Sequence, residues 1–176
     1  KPSTSKPSAD KHDTDKANKS SSPLNLLNTV WKSYSEDDKF PASGGDYSEE
    51  NAKDDAPGKF DVSDSAVLES TLAVPEDSAD LLKKAASLTH MMNLNTFTCG
   101  AFHVKDSADV AALCASLRGN ILDRHWMCGF PDKLVIVTVG DYVVSVYGYT
   151  DLVDTFTAKL AAAYPSAKTV SDDPIV

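Results

Sequence analysis

The stretch KLVIVTVGDYVVSVYGY, residues 133–149, decides the fold. Residues 134–139 are all apolar or β-branched, residues 142–149 are nearly so, and Gly140-Asp141 stands between them. A two-residue connection with Gly at its first position suits a hairpin turn, because Gly accepts positive φ there. In the first strand Leu134, Ile136 and Thr138 share one face and Val135, Val137 and Val139 the other. A strand apolar on both sides belongs in the middle of a sheet or beneath two layers. The second strand places Tyr142, Val144, Val146 and Gly148 on one face and Val143, Ser145, Tyr147 and Tyr149 on the more polar other face.

Reading outward, NTFTCGAFHV alternates Phe97, Cys99 and Ala101 with Thr96, Thr98 and Gly100, which is strand spacing. Asp106 or Ser107 then caps a helix that carries Val110, Leu113, Cys114, Leu117 and Ile121 and runs toward Trp126. Beyond the hairpin, Leu152, Val153, Phe156, Leu160 and Ala163 recur at helical spacing until Pro165. The order β-α-β-β-α predicts an α+β domain of two layers. A mainly antiparallel sheet is covered by the helices around 107–125 and 150–164 on one face, leaving Tyr147 and Tyr149 nearer solvent or the long acidic loop.

The first half is less regular. Ser22-Pro23 opens a helix over about 23–35, with Leu24, Leu27, Trp31 and Tyr34 along one side. The acidic, Gly- and Pro-containing segment 36–61 reads as a long loop with a short strand near Phe60. Ser63 or Asp64 caps a short helix bearing Val67, Leu68 and Leu72 that stops near Pro75, and Ala79, Leu82, Ala85, Ala86 and Thr89 predict a further helix over 77–89.

With 176 residues and 41% hydrophobic content, the chain suits one folded domain, residues 23–176. A formal charge of -9 repels phosphate backbones and argues against nucleic acid as a partner. No apolar run approaches the roughly 20 residues of a membrane span. Residues 1–22 hold no aromatic or branched apolar side chain, so they read as a disordered tether that cannot offset its own ordering entropy. The first residue is Lys1, and Ser/Lys/Pro-rich tethers commonly follow the lipidated cysteine of bacterial surface lipoproteins. The expected location is extracellular, on the outer face of a bacterial membrane, with membrane contact only through an N-terminal lipid anchor. Cys99, Cys114 and Cys128 make an odd set, read as free thiols, with Cys99 and Cys114 acting as small buried hydrophobes.

Residues from about Met91 to Tyr164 resemble small lipoproteins of Gram-positive bacteria that carry a domain of unknown function. MMNLNTFTCGAFHVKD, the helix leading to RHWMCGFPDKLVIV, and VGDYVVSVYG before the closing helix carry the resemblance. It implies a surface lipoprotein and supplies no catalytic residue. The lipobox cysteine of such proteins is absent from this sequence.

RHWMCGF, residues 124–130, holds the sharpest chemical candidates. His125 and Cys128 could each offer a metal ligand, or act as a nucleophile and base with Asp123 or Asp132 as orienting group. His90, His103, Cys99 and Cys114 show none of the short paired spacings of zinc sites. The reading preferred here is a helix end in which Trp126 with Met127 or Phe130 covers the sheet edge and Gly129 ends the helix. The acidic residues between Glu36 and Asp55 lack calcium-loop order, and ASGGDYS lacks the Lys of a phosphate loop. The sequence thus points to a non-enzymatic, surface-tethered module without cofactor that binds a protein, peptide or envelope component. Tyr142, Tyr147 and Tyr149 are its partner-binding candidates; the alternative is a small enzyme or metal-binding protein at the His125/Cys128 corner.

Overall fold

The computed structural model describes residues 20–175; residues 1–19, most of the segment read as a tether, lie outside them. Helix α1 spans Pro23–Lys32, followed by short strands β1 (Ala42–Gly44), β2 (Lys53–Asp54) and β3 (Gly58–Phe60). Helix α2 (Ser65–Leu72) and a 3-10 turn (Glu76–Leu81) lead into β4 (Leu82–His90) and β5 (Phe97–Val104). A second 3-10 turn (Ser107–Asp109) opens α3 (Val110–Leu122), and then come β6 (Lys133–Val139), β7 (Tyr142–Gly148), α4 (Thr150–Ala163) and β8 (Lys168–Pro174).

The strands form one sheet in the order β2-β1-β4-β5-β7-β6-β8, with β3 on the same side of β4 as β1. All pairings are antiparallel. The fold is α+β. The hairpin expected from residues 133–149 is present: Val139 pairs with Tyr142, and Gly140 takes φ of 58° at the first loop position. Strand β6 lies between β7 and β8, inside the sheet, as its two apolar faces require.

Helices cover both faces, so the expectation that α3 and α4 share one is corrected. Val135, Val137, Val144 and Val146 pack with Leu26, Leu27 and Val30 of α1 and with Val153, Phe156 and Leu160 of α4. On the opposite face Leu134, Ile136, Val143 and Tyr147 pack with Leu68 and Leu72 of α2 and with Leu113, Leu117 and Ile121 of α3. The layering is helix–sheet–helix. The physical reason is in β6 and β7 themselves: every residue from Leu134 to Val137 and from Tyr142 to Gly148 is buried, so neither face can be left to water.

Local chemistry sets the ends of the elements. Ser22 Oγ accepts from the Asn25 amide at 3.0 Å, with Pro23 at the first helical position. Asp64 caps α2, which ends on Ala73 in the left-handed region. Asp106 accepts from the Ala108 amide and starts the turn into α3. The helix expected over 77–89 is instead a 3-10 turn and strand β4, and the loop over 36–61 contains β1 and β2 as well as the expected strand at Phe60.

Candidate functional site

The tyrosines expected to form a binding surface are mostly covered. Tyr147 is 1% exposed, Tyr142 8%, and only Tyr149, at 43%, meets solvent. Tyr147 lies beneath the segment that follows α3, where the Trp126 ring sits 5.2 Å from it at 57°. Arg124 lies 5.8 Å from the Trp126 ring and donates to the Glu69 carbonyl at 2.7 Å. Burial pushes the Tyr147 phenol above its ordinary pKa, against the opposing charge of Arg124. Tyr142 stacks on His103 at 4.5 Å and donates its hydroxyl to the Ser20 carbonyl at 2.9 Å. That bond places Ser20 on the folded body, inside the stretch 1–22 assigned to the tether. Tyr142 and Tyr147 are therefore packing residues; the expectation that Tyr147 lies nearer solvent is corrected, while Tyr149 is exposed as the alternation of β7 implies.

The other sequence candidates lie in the loop between α3 and β6. His125 and Cys128 are both exposed, and Cys128 holds φ of 62°. Among the described residues no group of three or more His, Cys, Asp or Glu side chains is placed to hold a metal ion. Cys99 and Cys114 are buried free thiols, one in each core, and burial raises both pKa values. The acidic loop uses its one buried carboxylate internally. Asp46 accepts from the Ser48 amide (3.0 Å), the Ser48 hydroxyl (2.5 Å), the Asn51 side-chain amide (2.9 Å) and the Asp61 amide (2.8 Å). Burial opposes its charge, but these donors outweigh it and hold the carboxyl below the ordinary range. The glycines of ASGGDYS serve backbone crossing: a Cβ on Gly45 would lie 2.1 Å from the Asn51 carbonyl oxygen.

One end of the sheet carries an arrangement that the sequence reading missed. The β4–β5 turn projects Met91 (52% exposed) and Met92 (79%), and the loop after α3 projects Met127 (77%) and Phe130 (62%). Two asparagines join these segments. Asn93 donates to the Cys128 carbonyl at 3.1 Å, and Asn95 donates to the carbonyls of Met127 (2.6 Å) and Gly129 (3.0 Å). Tyr149 joins the same end, its amide donating to the Thr96 carbonyl at 2.9 Å. The expectation that Met127 or Phe130 covers the sheet edge is corrected: Trp126 turns inward alone and its neighbours face water. A signal was present in the sequence, since Met-Met ahead of Asn-x-Asn, between two strands, puts flexible apolar side chains at a turn.

A cleft of about 350 Å³ adjoins this rim, lined among others by Tyr47, His90, Met91 and Met92. A larger one, about 630 Å³, is lined among others by Lys59, Lys83, Lys84 and Asp46. Its buried carboxylate, Asp46, already has its donors. No family model, curated protein or solved structure matches this chain.

Proposed function

We propose that this protein is a non-enzymatic, extracellular module, tethered through its N-terminal segment, that binds a protein, peptide or envelope component with the rim of Met91, Met92, Met127 and Phe130. The observation that carries this reading is the contrast between that rim and the rest of the fold. Both sheet faces are closed by helices, yet four large apolar side chains stand more than half exposed at one end, on two segments fastened by hydrogen bonds. Exposed apolar surface of this kind marks interaction sites. Methionine suits a surface that adapts to its partner, because the thioether chain is unbranched and polarisable. The extracellular assignment rests on the tether composition and on the resemblance to surface lipoproteins.

A photocrosslinking side chain at position 127, in intact bacteria displaying the protein, tests the proposal. The expected result is a discrete adduct that disappears in Met92→Glu/Phe130→Glu and does not form from Lys168 on the distant strand β8. Equal crosslinking from both positions, or none from 127, sinks it. Digestion of the displayed protein by externally added protease checks the location, and full protection in intact cells would contradict it.

A further inference from the structure

The chain contains three methionines and three cysteines. Cys99 and Cys114 are buried in the two cores. The other four sulfur-bearing residues, Met91, Met92, Met127 and Cys128, are all exposed, and all stand on the two segments joined by Asn93 and Asn95. We propose that this rim is a soft-metal site that takes Cu(I) on sulfur atoms drawn from Met91, Met92, Met127 and Cys128. Thioether and thiolate donors select Cu(I) over the divalent ions that prefer nitrogen and oxygen. Hydrogen bonds join the two segments that carry the donors. Asn93, next to Met92, bonds the Cys128 carbonyl, and Asn95 bonds the carbonyls on either side of that residue, at 2.6 and 3.0 Å.

Two further features fit a ligand-bearing loop rather than a plain connection. Cys128 has φ of 62°, a conformation that Gly or Asn adopts more readily, yet the position carries a thiol exposed to solvent. Every solvent-facing methionine of the protein lies here, beside its one exposed cysteine. His90 accepts from the Met92 amide through Nδ1 at 3.2 Å and stacks on Phe40, so its imidazole steadies the turn that carries Met91 and Met92. Coordination needs loss of the Cys128 thiol proton to solvent and no change in the metal's oxidation state.

The test uses the full chain, reduced and free of added thiol, with Cu(I) supplied anaerobically in competition with a coloured Cu(I) chelator. Wild-type protein should withdraw about one copper per chain. Met92→Leu/Met127→Leu should weaken uptake about tenfold or more, and Cys128→Ser likewise, because each removes soft donors and keeps size nearly constant. Unchanged uptake in the Leu variant, persistence of binding in Cys128→Ser, or no competition with the chelator overturns the proposal. Ag(I) titration followed through the methionine methyl resonances separates a true thioether site from capture by the thiol alone. Shifts at Met92 and Met127 are expected, and silver uptake that leaves both methyl resonances unmoved refutes it. The photocrosslinking side chain already replaces Met127, and adding Met92→Leu keeps the apolar surface, so the adduct from position 127 should survive that change, and the two readings of the rim can fail independently.

Discussion

At the scale of single residues, burial and hydrogen-bond supply decide what each chemically suggestive side chain does. Trp126 was legible as a packing residue because a large indole ahead of an apolar strand has to cover something; the structure puts it over Tyr147, in the loop after α3 rather than at the helix end expected. Its neighbours were not legible, since exposure in an irregular loop follows from no period. Trp126→Ala should uncover Tyr147 and lower stability by about 2 kcal/mol, less than the roughly 3–5 kcal/mol of a fully buried aromatic because the ring is half-buried. Trp126→Phe should cost under about 1 kcal/mol, since Nε1 has no hydrogen-bond partner among the described residues. Urea unfolding measures both, and a large loss in the Phe variant would show that Nε1 is bonded after all. Asp46 gives the pH prediction. Its pKa in the folded protein lies below the unfolded value of about 3.9, so its contribution is fully present above that value and is lost as pH falls through the folded pKa. Asp46→Asn should therefore cost about 2 kcal/mol near neutral pH and progressively less as pH falls below the unfolded value of about 3.9, when unfolding curves are compared across an acid series.

At the scale of elements, the sequence was readable wherever period and punctuation agreed. The hairpin of β6 and β7, the capped helices α1 and α2, and the helices α3 and α4 satisfied both conditions. Strand β4 did not. Ala85, Ala86, Ser87, Leu88 and Thr89 are all buried, so no alternation remains, and Ala with Leu and Lys are strong helix formers by propensity. Pairing with β3 on one side and β5 on the other overrides that preference. Strand β8 was missed for the opposite reason. KTVSDDP is polar and ends in Pro, as an edge strand should be, and a register shift opposite Ile136/Val137 further disfavours pairing with another chain. Two glycines separate conformational from steric need. Gly140 has φ of 58° and nothing within 4 Å of where a Cβ would stand, so Gly140→Ala should cost about 1–2 kcal/mol. Gly148 has φ of 153° and a Cβ there would lie 2.2 Å from the Thr96 carbonyl oxygen, so Gly148→Ala should cost about 3 kcal/mol or more. Equal thermal shifts in the two variants would mean that the β7 end relaxes away from Thr96.

At the scale of the whole molecule, one sheet is shared by two cores, and this explains both the stability expected and the place left for function. The class was legible because β6 is apolar on both faces; the division of α3 and α4 between the faces was not, because each helix shows an apolar stripe without saying which side of the sheet it meets. Strands β5, β7 and β6 each give alternate side chains to both cores, so neither core can dissolve without disrupting the register that the other needs. The molecule should unfold in a single cooperative step. Leu160 in α4 and Leu117 in α3 lie on opposite faces and are fully buried. Leu160→Ala and Leu117→Ala should each lower stability by about 2–5 kcal/mol and move the same transition. Hydrogen exchange should find the amides of 134–139 among the slowest, in both variants as in the parent, because β6 is paired on both sides. Separate transitions for the two variants, or early exchange of β6 in one of them, would show that the faces fold as independent units. In a cooperative body the turn at 91–96 and the loop at 123–132 sit beyond the ends of the strands, where the exposed side chains, unlike Trp126, can change at little cost to either core. That is where Met91, Met92, Met127, Cys128 and Phe130 are exposed.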